Sequence, residues 1–174
     1  MIKTETERII SDGIGHKIEI KTDGQLYGFM AGDIITCQSP ESECYGKGAV
    51  VEGFVRLPLE MWVTVIGEEK SLQVHLPASL ILLERPGWKF KVGDKVKTVL
   101  NERLELTAGL KGEVIVLSPN NRDRIIVEFE GWKDGHSTKF HWRELWFPSG
   151  HKTESKSRWW CLPNYLDLAG GLTS

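Results

Sequence analysis

A series of short motifs occurs twice along this chain of 174 residues, in the same order each time. Each copy has a Gly-Asp pair before a β-branched run, then a glycine-rich stretch, then an alternating apolar run. The stretches lie at 31–35, 46–51 and 62–65 in the first half and at 92–96, 109–115 and 125–129 in the second. Because the same signals recur in the same order, we predict two domains of similar fold.

The apolar runs are short, β-branched and bounded by Gly, Asp, Asn or Pro. No window has the i, i+3, i+4, i+7 spacing of an amphipathic helix, whereas runs of this kind are typical of strands joined by tight turns. Hydrophobic residues make up 40% of the chain and charged residues 26%. Since this much apolar side chain can form a core, disorder over the whole length is excluded. The strand-like runs predict an all-β protein.

The spacing between the two copies changes along the repeat. Gly32 and Gly93 stand 61 positions apart, and Gly48 and Gly112, which we take as equivalents, stand 64 apart. A closing element, 76–82, recurs at 162–168 with a spacing of 86, so the second copy carries an insertion of about 22 residues within 131–158. Gly-x-Gly allows a sharp bend into a strand, since glycine tolerates positive φ and bulges.

Two local structures follow from the motifs. Asp33 and Asp94 come directly after glycine at equivalent positions, which predicts a turn in which the carboxylate accepts backbone N–H groups. The Pro-x-x-Leu element predicts a short 3₁₀ turn before a last strand in each copy. Five short strands of this kind can close into a small barrel with few free edges.

The order of these signals resembles SH3-like barrels, the broad group that includes KOW, Tudor and mind-bomb modules. The resemblance covers 32–84 and 93–168. It implies two tandem five-stranded SH3-like barrels, the first within 1–86 and the second within 87–174, where 131–158 forms a long Trp-rich insertion.

The second half also resembles small, mostly uncharacterised SH3-like proteins of phages and bacteria. Those proteins have a hydrophobic strand, Gly-Gly-His, a loop and Cys-Trp-Trp-Val-Pro. The matching stretches here are 127–129, 132–136, 158–163 and 166–168, with the cysteine after the tryptophan pair and a longer loop. This resemblance implies the fold and no activity.

The segment 15–28 predicts an N-terminal hairpin with an Asp-Gly turn at Asp23-Gly24. It is also similar to the opening of an Sm-like barrel, but the later Sm signature is missing. We therefore expect the hairpin to pack against the first barrel or to supply its first strands.

The two halves differ in charge and in tryptophan. Residues 1–86 have a net charge of −5 and one tryptophan, whereas residues 87–174 have a net charge of +3 and six. The segment 131–158 combines a net charge of +3 with interleaved aromatic residues, which makes it the best candidate for a binding site. The candidate residues are Trp132, His136, Lys139, Trp142, Arg143, Trp146, Lys152, Arg158 and Trp159.

Such a surface suits three roles. It can dock a protein or peptide on an aromatic groove, which is our first hypothesis, or stack the bases of a nucleic acid, which is the alternative. In the third, the protein is one part of a larger assembly in which the aromatic segment is buried. The structural alternative is that Trp142, Trp146 and one residue of the pair Trp159-Trp160 simply cover the barrel, since adjacent strand residues point to opposite faces.

Other chemistry has weaker support. His136, His141, His151 and Cys161 are spaced 5, 10 and 10 residues apart, which contains no tight ligand pair for zinc, and we expect no metal or other cofactor. Cys37 and Cys44 can pair under oxidation or hold a metal with an outside ligand, although two unlinked thiols are favoured. Phosphate-loop, nucleophile-elbow and metalloprotease motifs are missing, so we expect a non-catalytic adaptor or accessory subunit.

Two features that the sequence lacks indicate the cellular compartment of the protein. The N-terminus lacks the basic and apolar regions of a signal peptide, and three cysteines do not make a disulfide framework. We expect a cytoplasmic protein without a membrane span.

Overall fold

The computed structural model describes residues 7–37, 39–74, 80–99, 108–120, 125–133 and 156–170. Within these ranges the regular structure is strand apart from one 3₁₀ turn, so the all-β prediction is confirmed. The chain divides into two compact units, Met1–Pro86 and Gly87–Ser174.

The first unit contains a seven-stranded antiparallel sheet. Its strands are β1 (Glu7–Ser11), β2 (Lys17–Lys21), β3 (Ile34–Cys37), β4 (Gly48–Arg56), β5 (Leu59–Val65), β6 (Ser71–Val74) and β7 (Leu80–Glu84). The long strand β4 pairs with β2 and β3 along one edge and with β5 along the other, while β6 pairs with β5 and β7 with β3. Inward residues of these strands, such as Ile35, Val51 and Met61, are fully buried and form its core.

The second unit contains a five-stranded antiparallel sheet in the order β11-β10-β9-β8-β12. Its strands are β8 (Lys95–Thr98), β9 (Lys111–Leu117), β10 (Ile125–Phe129), β11 (Arg158–Cys161) and β12 (Leu166–Leu168). This order matches β6-β5-β4-β3-β7 of the first unit, strand for strand. Among the pairings of the described residues each sheet is open, so closure into barrels stays a prediction.

The Gly-Asp turn is the same in both units. Gly32 and Gly93 both have positive φ, at 91° and 94°, and donate their N–H groups to the carbonyls of Val51 in β4 and Val114 in β9, each at 2.8 Å. Asp33 accepts the backbone N–H of Met30 at 2.9 Å, and Asp94 accepts that of Lys91 at 3.0 Å. The predicted turn role of both aspartates is confirmed.

The proposed equivalence of Gly48 and Gly112 is wrong by one residue. Ala49 pairs with Ile35 of β3, whereas Gly112 pairs with Val96 of β8, so Gly112 corresponds to Ala49. The glycines that bend the chain are Gly46 and Gly109, with φ of 66° and 85°, one turn before the strand. In each copy, the first glycine of the motif bends the chain and the second lies in the strand. The second glycine stands one strand position apart in the two copies.

The N-terminal hairpin forms with a different segment from the one predicted. Strand Lys17–Lys21 pairs with the preceding strand, Glu7–Ser11, across the Asp12–His16 turn. The prediction paired it with the following segment across Asp23-Gly24. After Gly24 the chain makes a compact turn in which Leu26 and Phe29 exchange backbone hydrogen bonds and are buried. Their burial competes with strand pairing of this segment. The hairpin does join the first sheet, since Lys21 pairs with Phe54 of β4.

The closing element has the predicted 3₁₀ turn in the second unit, at Pro163–Tyr165, directly before β12. Its counterpart at 75–79 lies outside the described residues.

Candidate functional site

Most residues of the binding site predicted in segment 131–158 lie outside the part of the chain that the structure describes. His136, Lys139, Trp142, Arg143, Trp146 and Lys152 lie outside the described residues, and so does the insertion between 134 and 155. Trp132, Arg158 and Trp159 are described, and they lie at the two ends of the segment that joins β10 to β11.

The two ends of that segment are held together. The Phe129 N–H donates to the Ser157 carbonyl at 2.8 Å, and the Ser157 hydroxyl donates to the Trp132 carbonyl at 2.7 Å. Trp132 is half-buried, and its buried indole N–H has no hydrogen-bond partner within the described part of the chain. The segment therefore leaves and re-enters the sheet at one narrow base.

Arg158 is a buried residue of the sheet. Its side chain is fully buried opposite Glu128 on β10, and its Nε donates to the Glu128 carboxylate at 3.2 Å. Burial lowers the pKa of the guanidinium, because charge is less stable away from water. Since the guanidinium is paired with Glu128 inside the protein, it can stabilise the β10–β11 pair but is poorly placed to meet a phosphate.

The tryptophan pair lies on both faces of β11. Trp159 is buried and pairs with Val127, whereas Trp160 is half-buried and packs against Ile115, Val116 and Ile126. The Trp160 indole therefore has a packing role, and Trp159 is part of the buried core.

A cleft that the sequence analysis did not identify opens beside the 3₁₀ turn. It has a volume of about 570 Å³, within the range of small-molecule and peptide pockets. The buried side chains of Phe90, Leu117 and Ile125 line it, together with the half-buried Trp88 and Leu162-Pro163. Gly87, Lys89 and Asn164 are its exposed lining residues.

Lys89 connects the wall of the cleft to the sheet. Its ammonium donates to the Leu166 carbonyl at 2.6 Å and to the Asp167 carboxylate at 2.9 Å. These bonds hold the Gly87–Phe90 segment against β12, which fixes Trp88 and Phe90 beside the 3₁₀ turn. Trp88 after Pro86-Gly87, and Pro163 in the closing motif, were the available signals, but they are 75 positions apart in sequence.

Of the four histidine and cysteine residues considered as zinc ligands, the structure describes Cys161. Cys161 is buried, and burial raises the pKa of its thiol to about 12, while His136, His141 and His151 lie outside the described residues. In the described ranges, no group of three or more His, Cys, Asp or Glu side chains comes together that could hold a metal ion.

No protein-family model matches the chain, and no curated protein matches it. Over the described ranges, no helix has both the length and the apolar character needed to span a bilayer.

Proposed function

We propose that each unit is an SH3-like barrel and that the protein is a non-catalytic binding protein whose second unit recognises a protein segment. The strand order, shared by both units, supports the fold, together with the equivalent Gly-Asp turns and the 3₁₀ turn before β12.

The cleft beside the 3₁₀ turn carries the functional proposal. Its buried lining residues are apolar, and a half-buried indole and a half-buried proline ring lie beside them, which matches the aromatic-lined grooves that dock extended peptides. Exposed Asn164 can exchange hydrogen bonds with a peptide backbone. The Trp-rich segment 131–158 belongs to the same unit, and we propose that it contributes further contacts to the ligand.

Charge favours a peptide over a nucleic acid. Lys89 on the cleft and Arg158 at the base of the segment are both bound to carboxylates, so their positive charge is partly neutralised. Exposed Lys133 and Lys156, with the cations at 139, 143 and 152, are the remaining basis for nucleic-acid binding. That alternative predicts an affinity that falls steeply with salt, because neutralised phosphates release counterions.

A displayed random-peptide library, selected on the full chain at two salt concentrations, tests the proposal. We expect selected peptides to bind the wild type and to lose about 30-fold or more in affinity to Trp88→Ala, as for a buried aromatic anchor. Asn164→Arg blocks the cleft from an exposed position and separates loss of binding from loss of folding. Lys156→Ala, outside the cleft, is the matched control.

Two results contradict the proposal. Peptides that bind wild type, Trp88→Ala and Asn164→Arg equally would place recognition elsewhere. Selection of no peptide, with salt-sensitive binding of a labelled single-stranded oligonucleotide, would establish the nucleic-acid alternative.

A further inference from the structure

Two cysteines meet at the neck of a loop in the first unit. Cys37 ends β3, and the chain returns at Tyr45, which forms a parallel bridge with Cys37. The Gly46 N–H then donates to the Cys37 carbonyl at 3.0 Å. Because the loop closes on its own backbone, Cys44 is brought beside Cys37 although seven positions separate them.

Both thiols are buried and reduced. Each residue is only 2% exposed, and neither forms a disulfide. The Cys44 sulfur lies 3.0 Å from the Ser42 hydroxyl oxygen, and its thiol is hydrogen-bonded to that of Cys37. The hydrogen bond with Cys37, followed by burial, raises the pKa of Cys44 above its ordinary value. The two cysteines therefore lie together at one small buried site.

A cleft of about 360 Å³ connects this site to the surface. Cys37 and Cys44 line it together with the apolar side chains of Val63, Leu72 and Val74. Exposed Glu41 and Glu43 also line it, and Glu43 is paired with Lys70 at 3.0 Å. Carboxylates beside a cleft attract cations, and the whole first half has a net charge of −5.

We propose that Cys37 and Cys44 form a two-thiolate binding site for Cu(I). Thiolates are soft ligands and select soft, thiophilic cations. Two thiolates bind one Cu(I) ion in a near-linear arrangement, so at about 2.3 Å per bond the sulfurs lie roughly 4.5 Å apart, much farther than the ~2.05 Å of a disulfide. Cys37 and Cys44 line the same cleft, so one ion can contact both sulfurs.

The ligand count selects Cu(I) over Zn²⁺. Structural zinc takes four protein ligands, and among the described residues of the first unit no group of three or more His, Cys, Asp or Glu side chains comes together that could hold a metal ion. Binding replaces the two S–H protons by one metal ion, so one Cu(I) and two thiols give a bis-thiolate complex and two released protons. This site lies in the first unit and is independent of the peptide cleft proposed for the second.

Competition with a chromophoric Cu(I) chelator, on the reduced full chain without oxygen, tests the site. We expect one equivalent of Cu(I) to be withdrawn from the chelator by the wild type. Cys37→Ser and Cys44→Ser should each weaken binding by at least about 100-fold, since a lone thiolate remains. Cys161→Ser removes a buried thiol of the other unit and should bind as the wild type does.

Three outcomes would overturn the assignment. These are withdrawal of copper by both serine variants, loss of binding in Cys161→Ser, and Zn²⁺ that competes equally with Cu(I). Circular dichroism checks that the variants fold. If either fails to fold, X-ray absorption at the copper edge of the wild type decides, since two sulfur neighbours support the site and nitrogen or oxygen neighbours contradict it.

Discussion

The Gly-Asp turns of the two units have the same backbone and different surroundings. Asp33 is fully buried, and Nε and a terminal nitrogen of Arg85 donate to its two oxygens at 2.7 Å. Arg85 also donates to the Gly28 carbonyl at 2.7 Å. Asp94 is half-exposed, and the residue at the position that corresponds to Arg85, 86 residues further on, is Gly171.

This difference separates what the repeat requires from what one unit adds. Both units need the aspartate to accept a turn N–H before the first strand of the repeat. Only the first unit has a β1–β2 hairpin and the Leu26–Phe29 turn before the repeat, and Arg85 binds the carbonyl of Gly28 in that turn. The buried ion pair therefore joins the N-terminal addition, the turn and the end of β7.

A second difference lies in one cross-strand pair of each core. Ala49 faces Val65 in the first unit, and Gly112 faces Phe129 at the corresponding place in the second. A Cβ on Gly112 would lie 2.6 Å from the Glu128 carbonyl oxygen and 2.9 Å from the Phe129 ring. The Phe129 ring thus fills part of the space that a methyl group at 112 would need, beside the Glu128 carbonyl and a Val127 methyl group at 2.7 Å, as in aromatic rescue of glycine in a sheet.

The largest effect is expected when the Arg85–Asp33 pair is broken. Arg85→Met leaves a buried carboxylate without its cation, which should lower the free energy of unfolding by about 3–5 kcal/mol. Asp94→Asn, the matched change at the exposed turn, should cost about 1 kcal/mol or less. Urea unfolding measures both, and hydrogen exchange assigns each loss to its unit. Equal losses would show that burial of Asp33 does not distinguish the turns.

An intermediate effect is expected at the cross-strand pair. Gly112→Ala should cost about 1–3 kcal/mol because the new methyl group overpacks the sheet. The double variant Gly112→Ala/Phe129→Val copies the first unit and should lose less than the sum of its two single variants, since the residues are in contact. Gly170→Ala, with open space around the glycine, should unfold like the wild type. Strict additivity would refute the compensation.

The smallest effect concerns the hairpin of the first unit. Burial acts to raise the pKa of Asp12, but hydrogen bonds from the Ile14 and His16 backbones and the His16 ring outweigh it, so the pKa is lowered. A lowered native pKa stabilises the β1–β2 turn above the unfolded value near 3.8, and this contribution disappears as pH falls through the native value.

Amide chemical shifts of Ile14 and His16, followed from pH 6 downwards, measure this titration. Asp12→Asn should abolish it and leave the second unit unchanged. A midpoint at or above 3.8 in the wild type would contradict the assigned hydrogen bonds.

Local signals predicted local structure well. Gly32, Gly93 and the aspartates after them form the expected turns, because a positive φ and a short side-chain acceptor are properties of a few adjacent residues. The 3₁₀ turn at Pro163 was also predictable, because it too depends on a few adjacent residues. Strand register was less predictable, since the equivalence of Gly112 with Ala49 depends on which residues face each other across strands.

The two candidate sites also differ in how far the sequence predicts them. Composition pointed to the Trp-rich segment of the second half, and its described residues Arg158 and Trp159 are buried in the sheet. The cleft lined by Trp88 and Pro163 was missed, because its lining residues come from four separate stretches of the second unit.

The amino-acid sequence by itself determined the strands, the turns and their repetition, since these depend on side-chain branching, glycine and alternation over a few residues. Only the tertiary structure decided the partner of the hairpin strand, the burial of Arg85 and Arg158, and the meeting of Cys37 with Cys44. Each of these depends on competition among distant segments for burial and hydrogen bonds. The free energies that settle such competition belong to the packed chain and have no counterpart in a local pattern.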